Sequence, residues 1–287
     1  MAIHCFRSLL KFSSDPLNLI IHDDGTLTAE DSQRLQQELT HTQVIMQPEA
    51  DDLIIPLLKN YPQTEQFRRE VPHAVKLIDI PLLSQGDIAF CDSDILFFRP
   101  FQGLFQAPDA QTSALFMQDY VEAYSIFPWH LLTTPLRLPS KVNSGLIWMR
   151  QSAYDLAFVE WFLSQPAFRS KPLHKMEQTC WAALGHRAHC QLWNPSQIVL
   201  MRSHLPFTPE MVAGHFVKEV RPRLTQFLPQ AEATPDPAAL PVSITTLPAQ
   251  DCDIWGLAQN HWQRQSNRVR SHQKKWSNLF RQRFLAH

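Results

Sequence analysis

Ile88-Ala89-Phe90-Cys91-Asp92-Ser93-Asp94-Ile95-Leu96-Phe97-Phe98 is the stretch whose reading decides the fold. Two aspartates, two positions apart, interrupt an otherwise apolar run. Residues 87–91 read as a buried strand. On extended backbone, residues i and i+2 point the same way, so Asp92 and Asp94 share a side. Two carboxylates at the edge of an apolar core repel each other and lose hydration, which is costly without a cation. A hard divalent ion relieves both penalties and takes carboxylate oxygens as ligands. Asp-Ser-Asp also suits a turn or a helix N-terminus. The apolar flanks on both sides favour the metal-binding reading.

Outward from this segment, short apolar runs alternate with helical patterns. Strands are predicted at 17–21, 42–46, 114–117 and 146–149. Helices are predicted at 28–39, 50–60, 63–70, 152–163 and 175–184 from their apolar spacing. Thr28 is the expected N-cap of the first of these, with Glu30 and Asp31 at the positive helix end. This order predicts an α/β domain with a mostly parallel sheet covered by helices on both faces. In such sheets ligands bind beyond the carboxyl ends of the strands, which places Asp23-Asp24 and Asp92-Ser93-Asp94 on one rim.

Composition narrows the function. The chain has 287 residues, is 44% hydrophobic and 18% charged, and carries a net charge of −1, an ordinary globular balance. At about 300 residues a domain buries roughly 75% of its unfolded surface, so it folds without a disulfide or metal staple. Near-neutral charge argues against a protein that coats nucleic acid. The glycines, at 25, 86, 103, 145, 185, 214 and 256, are too scattered for a GxGxxG or GxxxxGK[ST] phosphate loop. Cysteines 5, 91, 180, 190 and 252 form no CxxC pair, which fits a reducing compartment. Cys180, His186, His189 and Cys190 resemble a zinc cluster, but adjacent residues point in different directions, so incidental side chains around a turn are the preferred reading.

The N-terminal segment carries His4, Arg7 and Lys11 and has no signal-peptide core. No apolar run approaches the roughly 18 residues of a membrane helix. The expected location is cytoplasmic, with peripheral contact at the inner membrane face as a further expectation. That contact would come through the C-terminal segment. From 254 to 287 the chain has Arg264, Arg268, Arg270, Lys274, Lys275, Arg281 and Arg283 and no acid. Trp262, Val269 and Trp276 repeat there at a seven-residue spacing. Pro229, Pro235, Pro237, Pro241 and Pro248 precede it and mark a linker or extended arm. The expected organisation is a body over 1–225, an arm over 226–253 and a basic helical tail over 254–287.

Three further motifs join the aspartate pair. Asn143-Ser144-Gly145 is a turn triplet before a strand, and its glycine permits close backbone approach. Glu177-Gln178 sets a carboxylate and an amide at a helix start. Gly214-His215-Phe216-Val217-Lys218 offers an imidazole to complete a metal shell and an ammonium suited to phosphate.

In order and spacing this set resembles the nucleotide-sugar glycosyltransferases of the GT-A fold, closest to glycosyltransferase family 8. The resemblance covers about residues 15–220. His22-Asp23-Asp24-Gly25-Thr26-Leu27-Thr28 is also similar to a segment of related transferases. The resemblance implies a Rossmann-like GT-A domain that transfers a hexosyl-type sugar from a nucleotide-sugar, most simply a UDP-sugar, to a glycan, lipid or protein hydroxyl with retention of configuration. It implies Mn²⁺, or Mg²⁺, held by Asp92, Asp94 and His215. Asp92, Asp24, Asn143, Ser144, Gly145 and Lys218 would bind the donor, and the catalytic pair would be Glu177, at an acidic sugar-binding position, and Gln178, beside the anomeric carbon. The chain departs from the family in having Glu at 177, where Asp is usual, and in lacking the Gly and Lys-Pro residues expected soon after His215. It also has no counterpart of the first strand, which helps to hold the base, so that strand is expected to be missing.

Two other readings compete with this one. A phosphatase of the haloacid-dehalogenase type matches Asp24-Gly25-Thr26-Leu27, but its nucleophilic aspartate would fall on His22. A transferase-like module that binds nucleotide without turnover is the alternative from outside enzymology.

Overall fold

The computed structural model describes residues 1–169, 175–236, 238–263 and 266. In chain order its strands are β1 (Leu19–His22), β2 (Thr42–Ile45), β3 (Ile88–Cys91), β4 (Ile95–Phe97), β5 (Phe101–Gln102), β6 (Ala114–Gln118), β7 (Val142–Met149), β8 (Gln191–Trp193), β9 (Ile198–Leu200), β10 (Ala213–His215), β11 (Val242–Ser243) and β12 (Thr246–Pro248). The central sheet has the order β12-β8-β6-β7-β3.

The α/β class stands, and the sheet is mixed rather than mostly parallel. β6 and β8 run parallel, whereas β6–β7, β7–β3 and β8–β12 are antiparallel. The physical reason is that a strand buried on both faces is a continuous apolar run whichever way its neighbours point. All eight residues of β7 are buried.

Side-chain alternation divides the core into two layers. Phe116, Ile147 and Met149 face one layer, packed by Ile54, Phe67, Val159, Phe162, Trp181 and Leu184 from the helices Gln47–Leu57, Pro62–Glu70, Leu156–Ser164 and Met176–Arg187. Leu115, Leu146 and Trp148 face the other layer. That layer is built from Cys5, Leu9 and Phe12 of the helix Ala2–Phe12 and from a small sheet of order β4-β10-β9. The predicted cap is present: Thr28 Oγ1 accepts the Asp31 N–H at 3.1 Å, and Asp31 Oδ2 accepts the Thr28 N–H at 3.0 Å.

Beyond the 3-10 run Lys218–Phe227, a short helix spans Leu228–Glu232. The chain then returns along the body: β11 pairs with β5, and β12 forms an edge of the central sheet against β8. Pro248 lies on that edge, where a missing N–H is tolerated. Residues 254–263 are helical, and Leu257 of this helix is buried in the helical layer of the core. The basic positions predicted for the tail, Arg264 and onward, lie outside the described residues. Among the described residues no helix is long and apolar enough to cross a membrane.

Candidate metal centre

Two ladders deliver the ligands. β3 ends at Cys91 and β4 begins at Ile95, so Asp92-Ser93-Asp94 forms the turn between them rather than extended strand. β10 lies antiparallel to β4 with His215 opposite Ile95, and the Phe216 N–H donates to the Asp94 carbonyl at 2.9 Å. This register brings a residue 121 positions downstream beside the aspartate pair. His215 Nε2 is 3.0 Å from Asp94 Oδ1 and 3.6 Å from Asp92 Oδ2.

Asn143-Ser144-Gly145 is part of β7, not a turn ahead of it. Phe116 pairs with Ile147, but the next residue, Met117, pairs with Asn143, so residues 144–146 bulge out of the β6 ladder. On the other side the Asp92 N–H donates to the Gly145 carbonyl at 2.7 Å. Asn143 Oδ1 accepts the Gly145 N–H at 2.9 Å. The bulge thus lies directly against the aspartate turn. Gly145 is required by space: a Cβ there would sit 2.2 Å from His215 Cε1.

Two cations that the sequence reading missed complete the group. Arg221 donates through Nε and Nη2 to Asp94 Oδ2, at 3.1 and 2.7 Å, leaving Oδ1 directed at His215. Lys76 Nζ lies 3.6 Å from Asp92 Oδ1 and 3.4 Å from Glu177 Oε1, and it donates to the Ser144 carbonyl at 3.1 Å. Ser144 Oγ donates to Glu177 Oε2 at 3.3 Å.

The charges follow from these contacts. Burial works against ionised Asp94, but His215 and Arg221 outweigh it and hold its carboxyl below the ordinary range. Burial likewise opposes the Lys76 ammonium, but Asp92 and Glu177 outweigh it and raise its pKa. For Glu177 burial dominates; Lys76 opposes it only in part, and the carboxyl is pushed up to about 7. Asp119, which hydrogen-bonds Asn143, is also raised by burial, with the backbone N–H groups of Val121 and Tyr120 opposing.

The other expected residues fall at varied distances from this group. Glu177 is buried within it, and Gln178, next on the same helix, donates its amide to the Ala123 carbonyl at 3.3 Å. Lys218 is exposed at the start of the 3-10 run and makes no hydrogen bond or ion pair with the aspartates; Arg221 does so instead. Asp24 is exposed in the loop after β1 and accepts from Thr26 Oγ1 at 2.6 Å. Its neighbour Asp23 accepts the N–H groups of Gly25, Thr26 and Leu27 and so shapes that loop.

The donor set fits a divalent ion. One ligand atom each from Asp92, Asp94 and His215 lies within 4.8 Å of the others, and among the described residues this is the only His, Cys, Asp and Glu grouping that does so. Two carboxylate oxygens and an imidazole nitrogen suit Mn²⁺ or Mg²⁺, with the imidazole favouring Mn²⁺. Asp94 and His215 are buried, whereas the Asp92 side chain keeps 32% of its exposure, so the group is open on one side.

No protein-family model matches the chain. No curated protein is significantly similar to it. Among solved structures, the chain is similar to the crystal structure of mouse xyloside xylosyltransferase 1 in its apo form, with 12% sequence identity, a TM-score of 0.49, and coverage of 75% of this chain and 90% of that one.

Proposed function

We propose that this protein is a metal-dependent glycosyltransferase that moves a sugar from a nucleotide-sugar, a UDP-sugar in the simplest case, to a hydroxyl of a glycan, lipid or protein acceptor. The convergence of Asp92, Asp94 and His215 carries the reading. Three residues from two distant motifs meet with the chemistry that those motifs were expected to supply. The Asn143-Ser144-Gly145 bulge and Glu177 come to the same place.

In this reading Asp92, Asp94 and His215 would hold Mn²⁺ or Mg²⁺, two of these side chains being buried and that of Asp92 partly exposed. When bound, the ion supplies Lewis-acid stabilisation of the negative charge that develops on the departing nucleoside diphosphate. Arg221 fixes the Asp94 carboxylate so that Oδ1 faces the ligand position. Arg221, rather than Lys218, then adds preorganised positive charge beside the phosphates, and Lys76, next to Asp92, adds to it. Asn143, Ser144 and Gly145 border the sugar. Glu177, half protonated near neutrality, can donate or accept a hydrogen bond to a sugar hydroxyl. Gln178 lies beside the reacting carbon, and Asp24 contributes from the nucleotide side. Retention of configuration and a cytoplasmic setting are part of the proposal.

The test is a panel of nucleotide-sugars with and without Mn²⁺, scored by release of nucleoside diphosphate. Metal-dependent release with at least one donor supports the reading. Nucleotide binding without any release would instead favour the non-catalytic module.

A further inference from the structure

The helix over 254–263 is amphipathic in an unusual sense. Its inner side is anchored: Leu257 is buried in the core, and one turn on, His261 stacks on Phe127 with ring centroids 4.3 Å apart. The Asn260 side-chain amide donates to the Glu122 carbonyl at 2.6 Å. Residues 255 and 262 are seven apart and lie on the opposite side. Both are tryptophans, and each is 79% exposed. A helix docked on its own protein ordinarily turns polar residues to water.

The apolar surface does not stop at this helix. Phe127 also stacks on Trp129, at 4.3 Å and 10° between planes, and Trp129 is 53% exposed. Leu132, in the same short helix Pro128–Thr133, is 72% exposed. A ladder of three rings, Trp129, Phe127 and His261, therefore joins two elements that both present large apolar side chains to solvent.

We infer that this face docks on a lipid bilayer that carries anionic headgroups. The residue type points to it: tryptophan is the side chain enriched at membrane interfaces, where one part of the ring is apolar and the N–H stays wet. Charge complementarity selects the lipid. The sequence running on from the helix carries Arg264, Arg268, Arg270, Lys274, Lys275, Arg281 and Arg283 with no acid between 254 and 287. Such segments are drawn electrostatically to anionic leaflets. Aromatic insertion and basic attraction together make two signals, as stable anchoring requires.

The full chain is to be mixed with phosphatidylcholine vesicles, with and without phosphatidylglycerol, and followed by co-sedimentation and by tryptophan emission. The expected result is binding to the anionic vesicles only, a blue-shifted emission, and release at high salt. Trp255→Ala with Trp262→Ala should weaken binding at least about tenfold, with an unchanged melting temperature because both side chains are exposed. Absence of binding by the parent chain overturns the inference, as does undiminished binding by the double variant. Self-association that the double variant abolishes, without vesicle binding, would assign the face to a second copy instead. Truncation before 254 is unsuitable because it removes Leu257 from the core.

Discussion

The imidazole of His215 rests against the α-carbon of Gly145, in the space that any side chain at 145 would fill. The ligand and the bulge are therefore one steric unit. Gly145→Ala should push the ring away from Asp94 and weaken Mn²⁺ binding at least about tenfold, the equivalent of 1.4 kcal/mol. Gly185→Ala is the control, since its Cβ would meet Phe116 Cε2 in the core at 2.5 Å. It should lower stability by about 1–3 kcal/mol and leave ion affinity intact. Titration of the ion by calorimetry, alongside thermal melts, separates the two.

Asp94→Asn removes a ligand while keeping the shape. Release of nucleoside diphosphate should fall at least about a hundredfold, since loss of transition-state charge stabilisation of about 2.7 kcal/mol has that effect. Normal turnover by this variant would contradict the site assignment.

Glu177 gives stability a pH slope. Burial raises its pKa from 4.5 to about 7, so the folded state holds the proton more tightly than the unfolded state does. The protonated fold is favoured, and that contribution is full below 4.5 and lost as pH rises through about 7. Chemical denaturation of Glu177→Gln between pH 4 and 8 should show a flatter profile than the parent, the difference approaching about 3 kcal/mol.

Lys76 separates two carboxylates. With Lys76→Met, Asp92 and Glu177 lose their shared cation in a largely buried setting. Such a change costs about 3–5 kcal/mol. Adding Glu177→Gln to that background should recover part of the loss, so the pair of substitutions is non-additive in a denaturation cycle.

Some of this was readable in the sequence and some was not, for identifiable reasons. Asp92 and Asp94 stand out because they interrupt an apolar run, whereas Asn143, Gly145 and His215 are legible only through their order and spacing in the family resemblance. Thr28 was readable because an N-cap is a local device. Strand direction in the central sheet was not, because β6 and β7 are apolar throughout and burial on both faces erases the alternation that distinguishes neighbours. Lys76 was hidden in Ala-Val-Lys-Leu, a four-residue helix too short for periodicity to register. The resemblance points to Lys218, close after His215, and the sequence reading does not reach Arg221. Yet Lys218, with φ of 45°, lies at the exposed start of the 3-10 run, and one turn later Arg221, between buried Val220 and Leu224, reaches Asp94.

The insertion of β10 between β4 and β9 has a consequence for assembly. A nascent chain that has made β3, the aspartate turn and β4 possesses only two of the three donors; the imidazole arrives when the last strand of the small sheet closes. Tight capture of the cation thus certifies that the late part of the polypeptide has threaded home. At a hundredfold excess over its dissociation constant, the ion would reward that closure with about 2.7 kcal/mol, visible as a higher melting point in manganese than in chelator.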